Sequence, residues 1–222
     1  MRLELPSGTP VEVVVPDGPA TRGVVVIPDI FGLRPLFADM AAGLSSARQW
    51  AVACFDPFGG RDLGGIDERF AALASLDDDA VLGDAVASAD LLGERAGVGR
   101  VAVIGFCMGG MYTYKAAATG RFDRAAPFYG MIRLPVAWRG PAQREPLSYL
   151  GQPRVCPVLA IIGDRDPYTP PEDVAELAVY RGYVTPVRYP EAEHAFVHDP
   201  DRPSHRPSDA ADAWQRVYDF LA

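Results

Sequence analysis

Short runs of apolar, mostly β-branched residues recur along the chain and alternate with stretches of helical periodicity. Runs with almost no polar positions are typical of parallel strands that helices cover on both faces. The alternation indicates βαβ units around a mostly parallel central sheet, which is an α/β fold. The predicted strands are Val11–Val15, Gly23–Ile27, Ala51–Phe55, Val101–Gly105, Ala125–Tyr129, Val158–Ile162 and Val184–Tyr189.

Helical patterns fill the intervals between these strands. Their starts carry suitable residues, such as a proline in the first turn or aspartates at the positive end of the helix dipole. Two stretches rich in proline and glycine, 131–156 and 198–207, are predicted loops that either shape a substrate site or simply cover the surface. The predicted helices are Pro35–Gln49, Asp77–Arg95, Met108–Thr119, Pro171–Arg181 and a C-terminal helix with Ser208 as N-cap and Trp214, Val217, Tyr218 and Leu221 as its core-facing stripe.

The chemistry begins with Gly-Phe-Cys-Met-Gly-Gly at residues 105–110, directly after a predicted strand. Glycines two residues before and two after Cys107 leave room for a strained strand-to-helix turn, the nucleophile elbow. Such a turn presents its central side chain at a helix start, where the helix dipole favours a thiolate. A small buried cysteine at a tight turn is the plain structural alternative.

Two more residues follow predicted strands, and their order along the chain favours the catalytic interpretation. Asp166 comes after Val158–Ile162, and His194 comes after Val184–Tyr189. Nucleophile, then acid, then histidine is the chain order of the α/β-hydrolase triad. All three lie at the carboxyl ends of strands, where open α/β sheets place their active sites. Asp164 competes with Asp166 for the acid position and is otherwise a turn residue.

Composition bounds the class of protein. The 222 residues, 49% of them hydrophobic, predict one domain over 1–222 with a sizeable core. A net charge of −8 argues against binding to nucleic acid or to an anionic membrane. The N-terminus shows no apolar signal region, no stretch reaches the ~18 apolar residues of a membrane span, and the three cysteines lack metal-site spacing. We therefore expect a cytoplasmic protein without a metal, and a monomer by default.

On these residues the sequence resembles the dienelactone hydrolase family of α/β hydrolases, from Val24 to about Phe196. The resemblance implies that Cys107 opens a lactone ring as nucleophile, that Asp166 and His194 complete the triad, and that no cofactor takes part. It also implies an oxyanion hole formed by the amides of Ile30 and Met108. The motifs that carry it are Asp29-Ile30-Phe31-Gly32, the elbow at 105–110, Asp166 with Pro170, and His194-Ala195-Phe196.

Two positions depart from the family pattern. Asp29 stands where the family has a glutamate that modulates the thiol, and its side chain is shorter by about 1.5 Å, one C–C bond. His198 stands where the family has an arginine that holds a substrate carboxylate, and imidazole lacks the bidentate fork of a guanidinium. We expect His198, Arg69 and Phe31 to contact the substrate. A loop or capping acid at position 29 and a surface charge at position 69 are the structural alternatives.

The sequence therefore predicts a cysteine-dependent hydrolase of a small-molecule lactone or carboxylic ester that works through an acyl-enzyme intermediate. A thioesterase or a general aryl esterase uses the same triad and is the nearest alternative. A catalytically silent fold that binds a ligand or senses redox state through its thiol is an alternative of a different class.

Overall fold

The computed structural model describes residues 1–222, and eight strands form one sheet. The strands are β1 Arg2–Glu4, β2 Pro10–Val14, β3 Arg22–Ile27, β4 Trp50–Phe55, β5 Val101–Phe106, β6 Arg124–Phe128, β7 Val158–Gly163 and β8 Val184–Tyr189. They pair in the order β1-β2-β4-β3-β5-β6-β7-β8. Pairing is parallel from β4 to β8 across the sheet, whereas β1 with β2 and β2 with β4 are antiparallel.

Seven α-helices connect or flank the strands. They are α1 Pro35–Arg48, α2 Ile66–Leu73, α3 Asp78–Ala96, α4 Met108–Ala116, α5 Pro146–Leu150, α6 Pro171–Glu176 and α7 Pro207–Leu221. Single 3-10 turns occupy Val136–Trp138 and Leu177–Tyr180. None of the helices combines the length and the apolar character that crossing a bilayer requires.

Side-chain alternation along the strands divides the interior into two cores. Successive strand residues point to opposite faces, so Val25 and Ile27 pack with α3 and α4 while Val24 and Val26 pack with α1 and α7. Residues 101–106 of β5 are buried on both faces. The mostly parallel sheet covered by helices on both sides confirms the predicted fold class.

Several sequence predictions need correction. Strand β1 and helix α2 were not predicted, and the predicted loop 131–156 contains α5, because Pro146 occupies the first turn of a helix instead of breaking one. Ser208 is not the N-cap: Pro207 already begins α7, which places the cap position at Arg206. The prediction of strands buried on both faces is wrong for β8, whose Thr185, Pro186 and Arg188 are exposed because it is an edge strand.

A buried carboxylate holds the segment around α5 against the rest of the fold. Asp78, at the start of α3, accepts hydrogen bonds from Lys115 Nζ at 2.7 Å, from the Tyr149 hydroxyl at 2.9 Å and from the Arg144 N–H at 2.8 Å. The Lys115 and Asp78 side chains are fully buried, and a buried charge is tolerated only with such a set of partners. These hydrogen bonds therefore fix the residues before and within α5 against α3 and α4.

Candidate active site

The carboxyl edge of the sheet brings the predicted site residues together. Asp29 follows β3, Cys107 follows β5, Asp166 follows β7 and His194 follows β8. Cys107 and His194 both face one cavity of about 710 Å³. Asp166 is buried behind His194 and does not line the cavity. Four segments that are distant in sequence thus converge because parallel strands end at the same edge.

The backbone at Cys107 has the strained conformation of a nucleophile elbow. Its φ of 58° and ψ of −119° lie outside the regions that non-glycine residues favour. A Cβ on Gly105 would lie 2.3 Å from the Gly109 carbonyl oxygen, and a Cβ on Gly109 would lie 2.1 Å from the Ile27 carbonyl oxygen. Only glycine at both flanking positions lets α4 approach β3 and β5 this closely. The half-buried Cys107 side chain consequently stands at the cavity floor.

His194 is oriented by Asp166. The distance between His194 Nδ1 and Asp166 Oδ2 is 2.7 Å, and the second oxygen of Asp166 accepts the Tyr168 N–H at 2.8 Å. Asp164, the alternative acid, instead binds Arg188 at 2.7 Å on the surface. With Nδ1 engaged by Asp166, the ring presents its other nitrogen to the cavity.

Nε2 of His194 has no fixed hydrogen-bond partner and lies beside Cys107. Burial of the ring opposes its protonation, but the interactions with the adjacent Cys107 and with the Asp166 carboxylate outweigh burial and raise the pKa of His194 to about 10. The electrostatics therefore favour a protonated His194 ring next to Cys107, and such a ring can deliver a proton.

Two backbone amides near Cys107 have no protein acceptor. The N–H of Ile30 makes no hydrogen bond, although its neighbours Phe31 and Gly32 both donate to Asp29. The N–H of Met108 is the first of α4, where helical amides have no intrahelical acceptor. Both residues lie at the ends of neighbouring strands β3 and β5. Free amides in such a position can stabilise a negatively charged oxygen.

Asp29 is held away from the thiol by other partners. Its Oδ1 accepts Arg34 Nη1 at 2.5 Å and the Phe31 N–H at 3.0 Å, and its Oδ2 lies 2.9 Å from His198 Nε2. Burial alone would raise the pKa of Asp29, but the hydrogen bond from His198 and the charge of Arg34 outweigh it and keep that pKa below its usual range. No hydrogen bond joins Asp29 to Cys107, so the structure does not bring the predicted thiol-modulating pair together.

The predicted substrate contact through His198 also needs correction. Its ring borders the cavity, but Nε2 donates to Asp29 and Nδ1 accepts the hydroxyl of Tyr129, so no ring nitrogen is left for a substrate. Burial lowers the pKa of His198, in spite of the adjacent Asp29 carboxylate, and favours the neutral tautomer that these two bonds need. His198 therefore supports the Asp29 loop from behind.

Of the other two predicted contacts, Phe31 lines the cavity and Arg69 does not. Arg69 Nη1 donates to the Ile30 carbonyl at 3.3 Å, behind the loop whose amide is free. Three guanidinium groups surround the Phe31 ring. The distance from the guanidinium carbon Cζ to the ring centroid is between 5.3 and 6.0 Å for Arg34, Arg69 and Arg202. Among them, only Arg202 also faces the cavity.

Both predicted loops contribute to the cavity wall. Trp138 comes from 131–156, and Arg202 and Ser204 come from 198–207. Phe70 and Ile66, one turn apart on α2, were missed, although their spacing of four residues was a readable signal. Tyr168 and Tyr129 were also missed, and nothing in their local sequence points to the site. No cluster of three or more histidine, cysteine or acidic side chains has the arrangement of a metal site.

Comparisons with known proteins point to one family of hydrolases. The sequence profile of the dienelactone hydrolase family matches residues 10–222. A probable 2-oxo-3-(5-oxofuran-2-ylidene)propanoate lactonase from a Bradyrhizobium species is 30% identical over 217 residues, 89% of this chain and 82% of that protein. A putative carboxymethylenebutenolidase of Escherichia coli K12 is 29% identical, over 92% and 78%. The crystal structure of a putative dienelactone hydrolase from Klebsiella pneumoniae superposes with a TM-score of 0.86 at 24% identity, over 100% of this chain and 97% of that one.

Proposed function

The chain belongs to the dienelactone hydrolase family and is a hydrolase that acts on esters or lactones, and we propose that it does so through Cys107, His194 and Asp166. The observation that carries the proposal is the state of His194: its Nδ1 is fixed by Asp166 at 2.7 Å, while Nε2 is free and lies beside Cys107. A base held in one tautomer by a carboxylate and turned toward a nucleophile is the arrangement that acyl transfer needs.

In the proposed reaction the sulfur of Cys107 bonds to the substrate carbonyl carbon while the amides of Ile30 and Met108 receive the developing oxyanion. The bond from carbon to the leaving oxygen then breaks, and that oxygen takes the proton from His194 Nε2. Water, deprotonated by the now neutral His194, attacks the thioester and releases the acid. Asp166 stabilises the ring whenever it is charged, and no cofactor enters the sequence of steps.

We further propose that Arg202 receives a negatively charged part of the substrate. One relative is named as a lactonase of a propanoate, which is an anion at neutral pH. Arg202 lines the cavity, its side chain is 31% exposed, and its contacts with the acids Asp29 and Asp199 are long, at 3.5 and 3.3 Å. A guanidinium with donors to spare suits a carboxylate. His198 has no free ring nitrogen and Arg69 does not line the cavity, so neither has this capacity.

The first test is hydrolysis of cis- and trans-dienelactone and of a neutral aryl ester by the wild type and by Cys107→Ala. We expect turnover by the wild type and loss of turnover in the variant. If the wild type cleaves only the neutral ester and the variant cleaves neither substrate, the result supports the triad but excludes the anionic lactone as substrate. Equal activity of the two proteins would show that Cys107 is not the nucleophile.

A further inference from the structure

A strip of aromatic side chains begins at His194 and runs along one wall of the cavity. The Tyr168 ring lies 4.8 Å from that of His194, the Trp138 ring 6.1 Å from Tyr168, and the Phe70 ring 6.2 Å from Trp138, measured between centroids. We call Tyr168, Trp138 and Phe70 the aromatic strip. Three separate segments supply it: the loop after β7, the 3-10 turn before α5, and α2.

The strip leaves apolar surface open toward the cavity. Phe70 is 37% and Tyr168 39% exposed, and Ile66, one turn before Phe70, is 40% exposed. Large apolar side chains exposed together around a cavity mark a ligand surface more often than a packing defect. Trp138 beneath them is buried and belongs to the segment that Asp78 anchors. The strip thus has a buried ring at its centre and a partly exposed ring on either side.

Another part of the cavity wall has a different character. Arg202, His198 and Asp29 lie there, close to Phe31 and the free amide of Ile30. The cavity therefore has charged groups beside the oxyanion loop, and the aromatic strip extends from His194; the exposed side chains of Arg165 and Glu193 also line the cavity. Its volume of about 710 Å³ is in the range that holds a drug-sized ligand, which is larger than a small lactone ring alone.

We propose that the aromatic strip is the leaving-group subsite and takes a flat, apolar aryl group carried by the oxygen that departs from the carbonyl carbon. The inference rests on the proposed function, in which His194 protonates that oxygen. A proton donor must lie within hydrogen-bond reach of its acceptor, so whatever the leaving oxygen carries starts beside His194. The aromatic strip is the wall that starts there. The acyl portion then lies toward Ile30 and Arg202.

The proposal has a kinetic signature because the leaving alcohol departs before deacylation. Two acetate esters with different alcohols form the same acetyl-enzyme and share its rate of hydrolysis. The strip therefore acts on kcat/KM, which reports acylation, and leaves kcat unchanged wherever deacylation limits turnover. A strip that held the acyl portion would instead act on both.

The experiment compares three esters: phenyl acetate, biphenyl-4-yl acetate, which extends the alcohol, and phenyl biphenyl-4-ylacetate, which extends the acyl group. We expect the wild type to prefer biphenyl-4-yl acetate over phenyl acetate by about tenfold or more in kcat/KM, since burial of a further ring stabilises the complex. Phe70→Ala and Trp138→Phe should each reduce that preference. Val179→Ala, which shortens an 81% exposed side chain outside the cavity, is the matched control and should keep it.

Three results would overturn the proposal: no preference for the longer alcohol in the wild type, an equal loss of preference in Val179→Ala, or a gain on the acyl extension that Phe70→Ala removes. The last result would assign the strip to the acyl portion. Failure of the proposed function looks different, because Cys107→Ala would then still hydrolyse phenyl acetate. Circular dichroism of each variant separates loss of the subsite from loss of the fold.

Discussion

His198 and Asp29 meet in the protein interior, with 2.9 Å between Nε2 and Oδ2 and both side chains at most 1% exposed. The second nitrogen of His198 accepts the Tyr129 hydroxyl, which fixes the tautomer with hydrogen on Nε2. The carboxylate held in this way also accepts the Phe31 N–H, two residues along the chain. The pair therefore shapes the loop that leaves the Ile30 amide free, and its effect on catalysis passes through that loop.

Replacing His198 by phenylalanine should destabilise the protein. The new ring fits among Phe37 and Phe106, which already stack on the imidazole, but Asp29 and Tyr129 each lose a buried partner. We expect a loss of about 2–4 kcal/mol in the free energy of unfolding, measured by urea denaturation. Tyr129→Phe, which removes only the hydroxyl, should cost less. An unchanged unfolding midpoint in His198→Phe would contradict the structural importance of the pair.

The same contact predicts how stability depends on pH. Because burial lowers the pKa of His198 below its usual 6.5, the unfolded chain binds a proton there before the folded protein does. Stability should therefore fall as the pH drops below about 6.5, toward the folded-state pKa. The difference between the urea midpoints measured at about pH 7.5 and about pH 5.5 should be smaller in His198→Phe than in the wild type. A slope of equal size in both proteins would show that another group causes the decline.

The two aspartates of the loop after β7 should differ sharply in their importance. Asp166→Asn keeps the shape of the side chain but removes the charge that orients and stabilises the His194 ring, so we expect kcat to fall by roughly 10³–10⁴ with the fold intact. Asp164→Asn is the matched control, since it affects only a surface contact with Arg188. Ester hydrolysis and the unfolding midpoint are measured for both. Similar activity of the two variants would remove Asp166 from the acid position.

The placement of Cys107, Asp166 and His194 at one edge could be predicted because it follows from topology. Each residue follows a predicted strand by two to five residues, and parallel strands must bring such positions to the same edge. The strained turn at Cys107 was equally readable, because glycines at 105 and 109 are needed wherever the helix approaches the strands so closely.

The surroundings of the triad could not be predicted in the same way. Whether His198 points into the cavity or into the core is decided by Tyr129 and Asp29, which lie 69 and 169 residues away in sequence. Phe70 and Ile66 have the four-residue spacing of one helix face, but that spacing does not tell whether the face packs on the core or lines a cavity. Contacts over such separations depend on packing, and periodicity carries no information about them.

The ionisation of His194 should depend on its neighbour in the elbow. The interaction with Cys107 is a major cause of the raised pKa of about 10, so Cys107→Ala should lower the pKa of His194 while the bond to Asp166 remains. The His194 ring protons, followed by NMR across the alkaline range, measure this directly. Identical titrations of His194 in the two proteins would show that Cys107 does not affect the pKa of the imidazole.

Arg202 and Arg69 both lie near Phe31, and their replacement should have distinguishable consequences. Arg202→Met removes a cation from the cavity wall, so kcat/KM for an anionic lactone should fall about 10- to 100-fold while a neutral aryl ester is hardly affected. Arg69→Met instead releases the Ile30 carbonyl behind the oxyanion loop, so it should slow both substrates by a similar factor. The two substrates are therefore assayed in parallel on both variants. A uniform loss in Arg202→Met would mean that this arginine acts through Asp29 and the loop, because its guanidinium also reaches the Asp29 carboxylate at 3.5 Å.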